Sequence, residues 1–268
     1  MAPVGPAGKA SVETTGGIPS AYSGLRSPHA DPVGRGGDPA VAIVSPPTHA
    51  TQLGVRCHHG HYLVLKRVTD LLVALFALLL TWPLFLIIAL LIKVSSAGPA
   101  LFVQTRIGKD GRPFGMYKFR TMRHRLDDAD HRAFMQAFVR GEIHSREPSR
   151  ALYKPFDGSQ LTRIGRLLRR SSLDELPQLL NVLKGEMSLV GPRPNVPWEV
   201  AAYKAWHTER LAVLPGMTGL AQINGRSSIV FDTIVEYDIA YVRNQHLWLD
   251  LHILWRTLAT VRKPHGAV

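Results

Sequence analysis

The chain has 268 residues, with 32 Lys and Arg against 20 Asp and Glu and a formal charge of +12. That length accommodates one or two domains with a real core, and the charge suits a polyanion: nucleic acid, anionic headgroups or phosphorylated substrates. Cys57 is the only cysteine, which excludes an intramolecular disulfide and a thiolate-rich metal site and fits a cytosolic soluble part.

Residues 1 to 60 repeat Pro and Gly ("APVGPAG", "DPVGRGGDP", "SPPTH") without periodicity. Such a segment buries too little apolar surface to offset its ordering entropy and is expected to be a disordered tail. The stretch "CHHGH", Cys57 to His61, crowds its potential ligands and has no distant partner cluster, so it is read as binding no metal.

Residues 71 to 92 read "LLVALFALLLTWPLFLIIALLI", 22 residues without a charge. An unbroken helix of that length would cross the roughly 30 Å hydrocarbon layer. Pro83 sits in its middle, removing one backbone hydrogen bond and clashing with the preceding turn. The expectation is therefore a re-entrant hairpin over residues 61 to 95, broken at Pro83, that enters and leaves the same face. Lys66 and Arg67 precede the run and Lys93 follows it, which favours the cytoplasm for both flanks.

Residues 96 to 268 are expected to form a cytosolic, membrane-associated domain of α+β class, mostly α-helical. "PALFVQTRIGKDGRPFGMYKFRTM" predicts a small β-hairpin turning at Lys109-Asp110-Gly111. Helical periodicity follows in "ADHRAFMQAFVRG" and in "LTRIGRLLRR", where Leu161, Ile164, Leu167 and Leu168 share one face and Arg163, Arg166, Arg169 and Arg170 the other. Leu247, Leu251, Leu254, Leu258 and Val261 form a closing stripe flanked by Trp248 and Trp255. These amphipathic helices either pack into a core or lie in the headgroup layer, and the pattern supports both.

The chemistry concentrates in "SSLDELPQLLNVLKGEMSLVGPRP", residues 171 to 194. Ser172 to Glu175 fits an S-x-x-E capping box, which would make Glu175 structural. Pro177 fits better with Asp174 as the cap, because it then falls where the backbone donor is free anyway. Either register puts Asp174 at the positive end of a helix, which favours an ionised carboxylate. Phosphate-binding residue types surround the pair: Lys118, Arg120 and Arg123 in "YKFRTMR", Arg193 between two prolines, and Arg226 after the Asn224-Gly225 turn. Together they suggest a diphosphate site with a divalent cation.

"KRVTDLLVALFALLL", "YKFRTM", "RRSSLDELPQLLNVLKGEMSLVGPRP", "LPGMTGLAQINGR" and "LWLDLHILWRTL" resemble, in order and spacing, the bacterial sugar transferases, small monotopic phosphoglycosyl transferases. The likeness runs from about Leu65 to Arg262. It implies that a sugar phosphate passes from a nucleotide diphosphate sugar, in this family a UDP-sugar, to undecaprenyl phosphate at the inner membrane, at an early step of exopolysaccharide assembly. It implies Asp174 as nucleophile, forming a covalent phosphosugar enzyme, Glu175 as a holder of Mg²⁺, and Lys118, Arg226 and Asp250 as further functional positions; Arg120 and Arg193 are added from their loops. Two differences stand out: Trp82-Pro83 replaces the family's Ser-Pro, and Phe156 to Gln160, "FDGSQ", replaces an Asp-Pro-Arg. The alternative is a membrane-tethered basic protein that binds polyanions without catalysis. No nucleic-acid partner is expected, because the arginines are spread among Pro- and Gly-shaped loops and lack base-stacking aromatics.

Overall fold

Residues 60–122, 129–142, 161–225 and 229–262 are described in the computed structural model. The tail, most of the "CHHGH" cluster, Arg123, the "FDGSQ" segment and Arg226 lie outside them.

The apolar run forms a single helix, α1 (Gly60–Ser95), with Pro83 inside it. The expected break into two half-helices is not observed. Proline removes one hydrogen bond, at a cost of about 3 kcal/mol, whereas helix-compatible residues on both sides retain theirs. Beside the gap, Thr81 Oγ1 donates to the Ala77 carbonyl at 2.6 Å, a back-bond that bends helices without ending them. One side of α1 buries Asp70, Ala74, Ile88 and Ile92. The other leaves Phe76, Leu79, Leu80, Trp82, Leu86 and Leu90 exposed, and α1 is long and apolar enough to cross a membrane.

The hairpin follows as expected: β1 (Leu101–Ile107) pairs antiparallel with β2 (Pro113–Phe119), Leu101 opposite Phe119 and Ile107 opposite Pro113. Its turn is a 3₁₀ segment, Lys109–Gly111, in which Asp110 and Gly111 have φ of 57° and 74°, the left-handed values that Asp-Gly tolerates. Next come α2 (Ala129–Arg140), α3 (Arg163–Ser171), a 3₁₀ turn at Leu173–Glu175 and α4 (Gln178–Lys184). Then β3 (Ser188–Val190), α5 (Pro197–Val200), a 3₁₀ segment at Ala205–Ala212, β4 (Gly216–Thr218), α6 (Leu220–Asn224), α7 (Phe231–Asn244) and α8 (Leu247–Arg262) complete the described chain. β3 and β4 pair in parallel.

Two cores position the acidic pair. Ala74, Met116, Leu179, Val182, Met187, Leu189, Val190, Tyr241 and Ile253 form the first. Ile88, Ile92, Phe119 and Leu168 form the second. Leu176 packs against both, so the turn carrying Asp174 and Glu175 is pinned where they meet. Asn181, fully buried, locks α4 to β2: its Oδ1 accepts from Tyr117 N–H at 3.0 Å and its Nδ2 donates to the Gly115 carbonyl at 2.7 Å. A third cluster joins Met135, Phe138 and Val139 of α2 to Phe231, Val235 and Ile239 of α7.

The amphipathic helices divide differently from the expected stripes. In α3, Leu168 is buried, but Leu167 is exposed among Arg163, Arg166 and Arg170, while Arg169 turns inward. In α8 the buried side carries Asp250 and Ile253, and Trp248, Leu251, Trp255 and Leu258 are exposed. The stripe of α8 is thus divided, Leu254 packing against the first core while Leu251 and Leu258 face outward with the two tryptophans.

α3 reaches the hairpin through Gly165, where a Cβ would lie 1.9 Å from the Thr121 carbonyl oxygen. The clash is with backbone, which cannot swing aside. Gly165→Ala is expected to destabilise the detergent-solubilised chain by about 1–3 kcal/mol, read as a lowered melting temperature, whereas Ala at exposed Gly60, whose Cβ meets nothing within 4 Å, leaves it unchanged.

Candidate active site

Ser172 adopts a left-handed conformation (φ 57°) that ends α3, its N–H returning to the Leu168 and Arg169 carbonyls. It makes no side-chain cap to the following turn, so the capping box does not form. Pro177 falls at the cap position of α4, where its missing donor costs nothing. Freed from capping, Glu175 turns to cations: Lys118 Nζ lies 3.2 Å and Arg193 Nη1 3.4 Å from its Oε1. Both ion pairs use one carboxylate oxygen and leave the second outside them.

The cations come from three separate elements. Lys118 rises from β2, opposite Phe102, Arg193 from the loop between β3 and α5, and Arg169 from the last turn of α3, where its Nε donates to Thr121 Oγ1 at 3.0 Å. The Lys118 side chain is 16 % exposed and that of Arg193 48 %, so Lys118 forms the floor of the site and Arg193 its rim.

The two acids experience opposite fields. Burial pushes Asp174 up to about 6, the Glu175 charge adding to it, while Lys118, Arg169 and Arg193 pull it back. Expected position at a helix start did not decide this; desolvation did. Burial also acts upward on Glu175, but Lys118 and Arg193 outweigh it and hold that group down at about 2. Lys118 is itself pushed below its ordinary value by burial, with Arg193 and Arg106 acting the same way and Glu175 opposing.

The structure brings Asp174, Glu175, Lys118 and Arg193 together and sets two expected site residues elsewhere. Arg120, buried, donates to the Ser96 and Ala97 carbonyls at 2.8 and 2.7 Å, tying the exit of α1 to the hairpin. Asp250 is buried against the start of α1: its Oδ2 accepts from Tyr62 OH and Lys66 Nζ, both at 2.9 Å, and its Oδ1 from Tyr241 OH at 2.7 Å. Nearby, Asp70 accepts from Ser188 Oγ at 2.7 Å and Leu189 N–H at 3.2 Å. Arg169 was assigned only to a basic surface; its fourfold spacing from Gly165 would have put it on the inward side.

Among the described residues no group of three or more His, Cys, Asp and Glu side chains converges, so an all-protein metal cage is absent there. Two neighbouring carboxylates do fit the habit of Mg²⁺, which takes one or two carboxylates and completes its shell with substrate phosphates and water.

Residues 61–264 match the family described as "Bacterial sugar transferase". The exopolysaccharide production protein ExoY of Rhizobium meliloti (strain 1021) is 42% identical over 202 residues, 75% of this chain and 87% of that one. The UDP-N-acetylgalactosamine-undecaprenyl-phosphate N-acetylgalactosaminephosphotransferase of Aeromonas hydrophila is 36% identical over 225 residues, 82% of this chain and 48% of that one. The undecaprenyl-phosphate galactose phosphotransferase of Salmonella typhimurium (strain LT2) is 39% identical over 204 residues, 76% of this chain and 41% of that one. With a match spanning α1 to α8, this chain belongs to the bacterial sugar transferase family.

Proposed function

We propose that the protein is a phosphoglycosyl transferase that moves a sugar 1-phosphate from a UDP-sugar to undecaprenyl phosphate, releasing UMP, at the cytoplasmic face of the bacterial inner membrane. The product would begin an exopolysaccharide repeat. The observation that carries the reading is the buried Asp174 beside a Glu175 whose carboxylate meets Lys118 at 3.2 Å and Arg193 at 3.4 Å. These surroundings push the first acid up to about 6 and hold the second down at about 2, as suits acids with different roles. The names of the Aeromonas hydrophila and Salmonella typhimurium relatives include the lipid carrier and, in the first case, the UDP-sugar, and these support the reading.

On this reading the Asp174 carboxylate attacks the sugar-bearing β-phosphorus, and the bond to the UMP oxygen breaks as the acyl phosphate forms. The lipid phosphate oxygen then attacks the same phosphorus, and the bond to Asp174 breaks, restoring the carboxylate. Lys118 and Arg193 bind diphosphate oxygens, and the family resemblance supports the same role for Arg226. Glu175 and the incoming phosphates would hold Mg²⁺, which supplies charge neutralisation for the leaving phosphate. A simple polyanion-binding protein would have no use for a buried carboxylate set among the cations it needs for its ligand.

The membrane arrangement we infer is re-entrant. α1 packs on the first core through Ala77 and Leu78 and on the second through Leu84 and Phe85, so only residues 79 to 83 intervene between contacts with the same folded unit. A spanning helix needs about 20 residues clear of it. The exposed faces of α1 and of α8, with Trp248 and Trp255, suit a bilayer interface.

Three outcomes test these statements. With UDP-sugar, Mg²⁺ and no lipid acceptor, rapid quenching and mass spectrometry detect the phosphosugar mass on the peptide containing Asp174; Asp174→Asn loses the adduct and, on the order of 10³-fold or more, the turnover. UMP release retained in Asp174→Asn overturns the nucleophile. The ionised form attacks and its folded pKa is about 6, so the rate of adduct formation is level above that pH and falls about tenfold per unit below it. In inverted inner-membrane vesicles a membrane-impermeant maleimide labels both Cys57 and, in a Cys57→Ser background, Lys109→Cys; labelling of Cys57 from outside intact cells would establish a span instead.

A further inference from the structure

Four consecutive carbonyls of the loop carrying Arg193 are held by donors from elsewhere in the fold. The Pro192 oxygen accepts from Gly216 N–H at 2.9 Å and the Asn195 oxygen from Ile107 N–H at 2.8 Å. The Pro194 oxygen accepts from Arg106 Nη1 and the Arg193 oxygen from Arg210 Nη2, both at 3.0 Å. Arg210 also donates through Nη1 to Asn195 Oδ1 at 3.1 Å and to Tyr203 OH at 2.8 Å. Its charge is met by Asp238 of α7, 2.5 Å away.

Arg210 and Asp238 are 2 % and 1 % exposed. Burying both charges is expensive, and an apolar pair of similar size would stabilise a core as well or better. A hydrophobic pair cannot supply a fork of donors to a loop. The Arg193 side chain is half exposed and reaches the Glu175 carboxylate at 3.4 Å, and where its backbone is held sets the point from which it reaches. Breaking the Arg210 fork frees one carbonyl on Arg193 itself and the side chain of Asn195 two residues on.

We propose that the buried Arg210–Asp238 pair is a positioning device for the anion site, clamping the Gly191–Asn195 loop so that Arg193 is presented to the substrate diphosphate. This rests on the transferase reading for the identity of the ligand, but the clamp itself is a statement about the loop. The pair touches no reacting atom and acts through Arg193.

The test uses the full chain in detergent and uridine diphosphate with Mg²⁺, the portion common to every UDP-sugar, with binding measured by calorimetry below the melting temperature of each variant. Arg210→Met is expected to weaken binding about tenfold or more, since small misplacements of positioning groups are costly. Arg210→Lys, which keeps the charge but lacks the fork, does not restore it. In an Arg193→Ala background Arg210→Met adds less than a twofold further loss, because coupled residues are not additive. Wild-type affinity in Arg210→Met, or the same loss in both backgrounds, overturns the clamp. If Arg210→Met does not fold, Arg210→Met/Asp238→Leu removes both charges together and carries the same test. Absence of uridine diphosphate binding by the wild type sinks the transferase reading; the clamp is then decided by hydrogen exchange, where faster exchange at residues 191–196 with α4 unchanged supports it and unchanged exchange overturns it.

Discussion

A carboxylate withdrawn from water prefers to keep its proton, and on the proposed reading Asp174 must lose it to attack; its surroundings hold that conflict in balance. Burial takes the group up, and Lys118, Arg169 and Arg193 stop it near 6, so at neutral pH roughly ten molecules are ionised for each that is protonated. A drier site would leave it protonated, and an open one would surround it with competing water. The balance needs cations from a strand, a helix and a loop at one point, which is why the hairpin, α3 and the Arg193 loop converge there. Leu176, packed on both cores, keeps the acidic turn from drifting away from them.

The same scaffold fixes the depth of the site. Lys66 and Tyr62 at one end of α1 meet Asp250 of α8, and Arg67 donates to the Val182 and Leu183 carbonyls at the end of α4 at 2.7 and 3.1 Å, where cations are favoured by the helix dipole. Arg120 grips the other end at Ser96 and Ala97. Arg120 and Asp250 thus act on the apolar helix, not beside the acidic pair. On the proposed reading they couple the membrane insertion of α1 to the position of the carboxylate that must meet a lipid phosphate.

Much of this was readable from residue order. The Lys109-Asp110-Gly111 turn was legible because Asp-Gly accepts positive φ, and α2, α3 and α8 because 3.6-residue periodicity persists over several turns. The acidic pair was legible from its expected place at a helix start among phosphate-binding residue types. Other features were not local. Three-residue strands such as β3 and β4 are too short to show a period. The exposed part of the α8 stripe has the same pattern as the part that packs inward, and only the contacts of Asp250, Ile253 and Leu254 show which side is buried. Ser172 satisfies the capping motif in sequence, yet it is consumed in closing α3, which no motif records. Arg210 and Asp238 lie 28 positions apart, and nothing in either neighbourhood announces the pair.

The resting ion pairs of Glu175 bear on how a highly charged donor enters. Lys118 and Arg193 share one Glu175 oxygen, so a single carboxylate offsets part of the repulsion between the two cations in the absence of a diphosphate. A diphosphate offers them more charge and more acceptor oxygens than one carboxylate does, and on the proposed reading it takes them over. Glu175, no longer engaged by those cations, would then have both oxygens available to share a divalent ion with the phosphates. The exchange keeps each charge opposed by another, and on the proposed reading it explains why Glu175 sits next to the attacking Asp174.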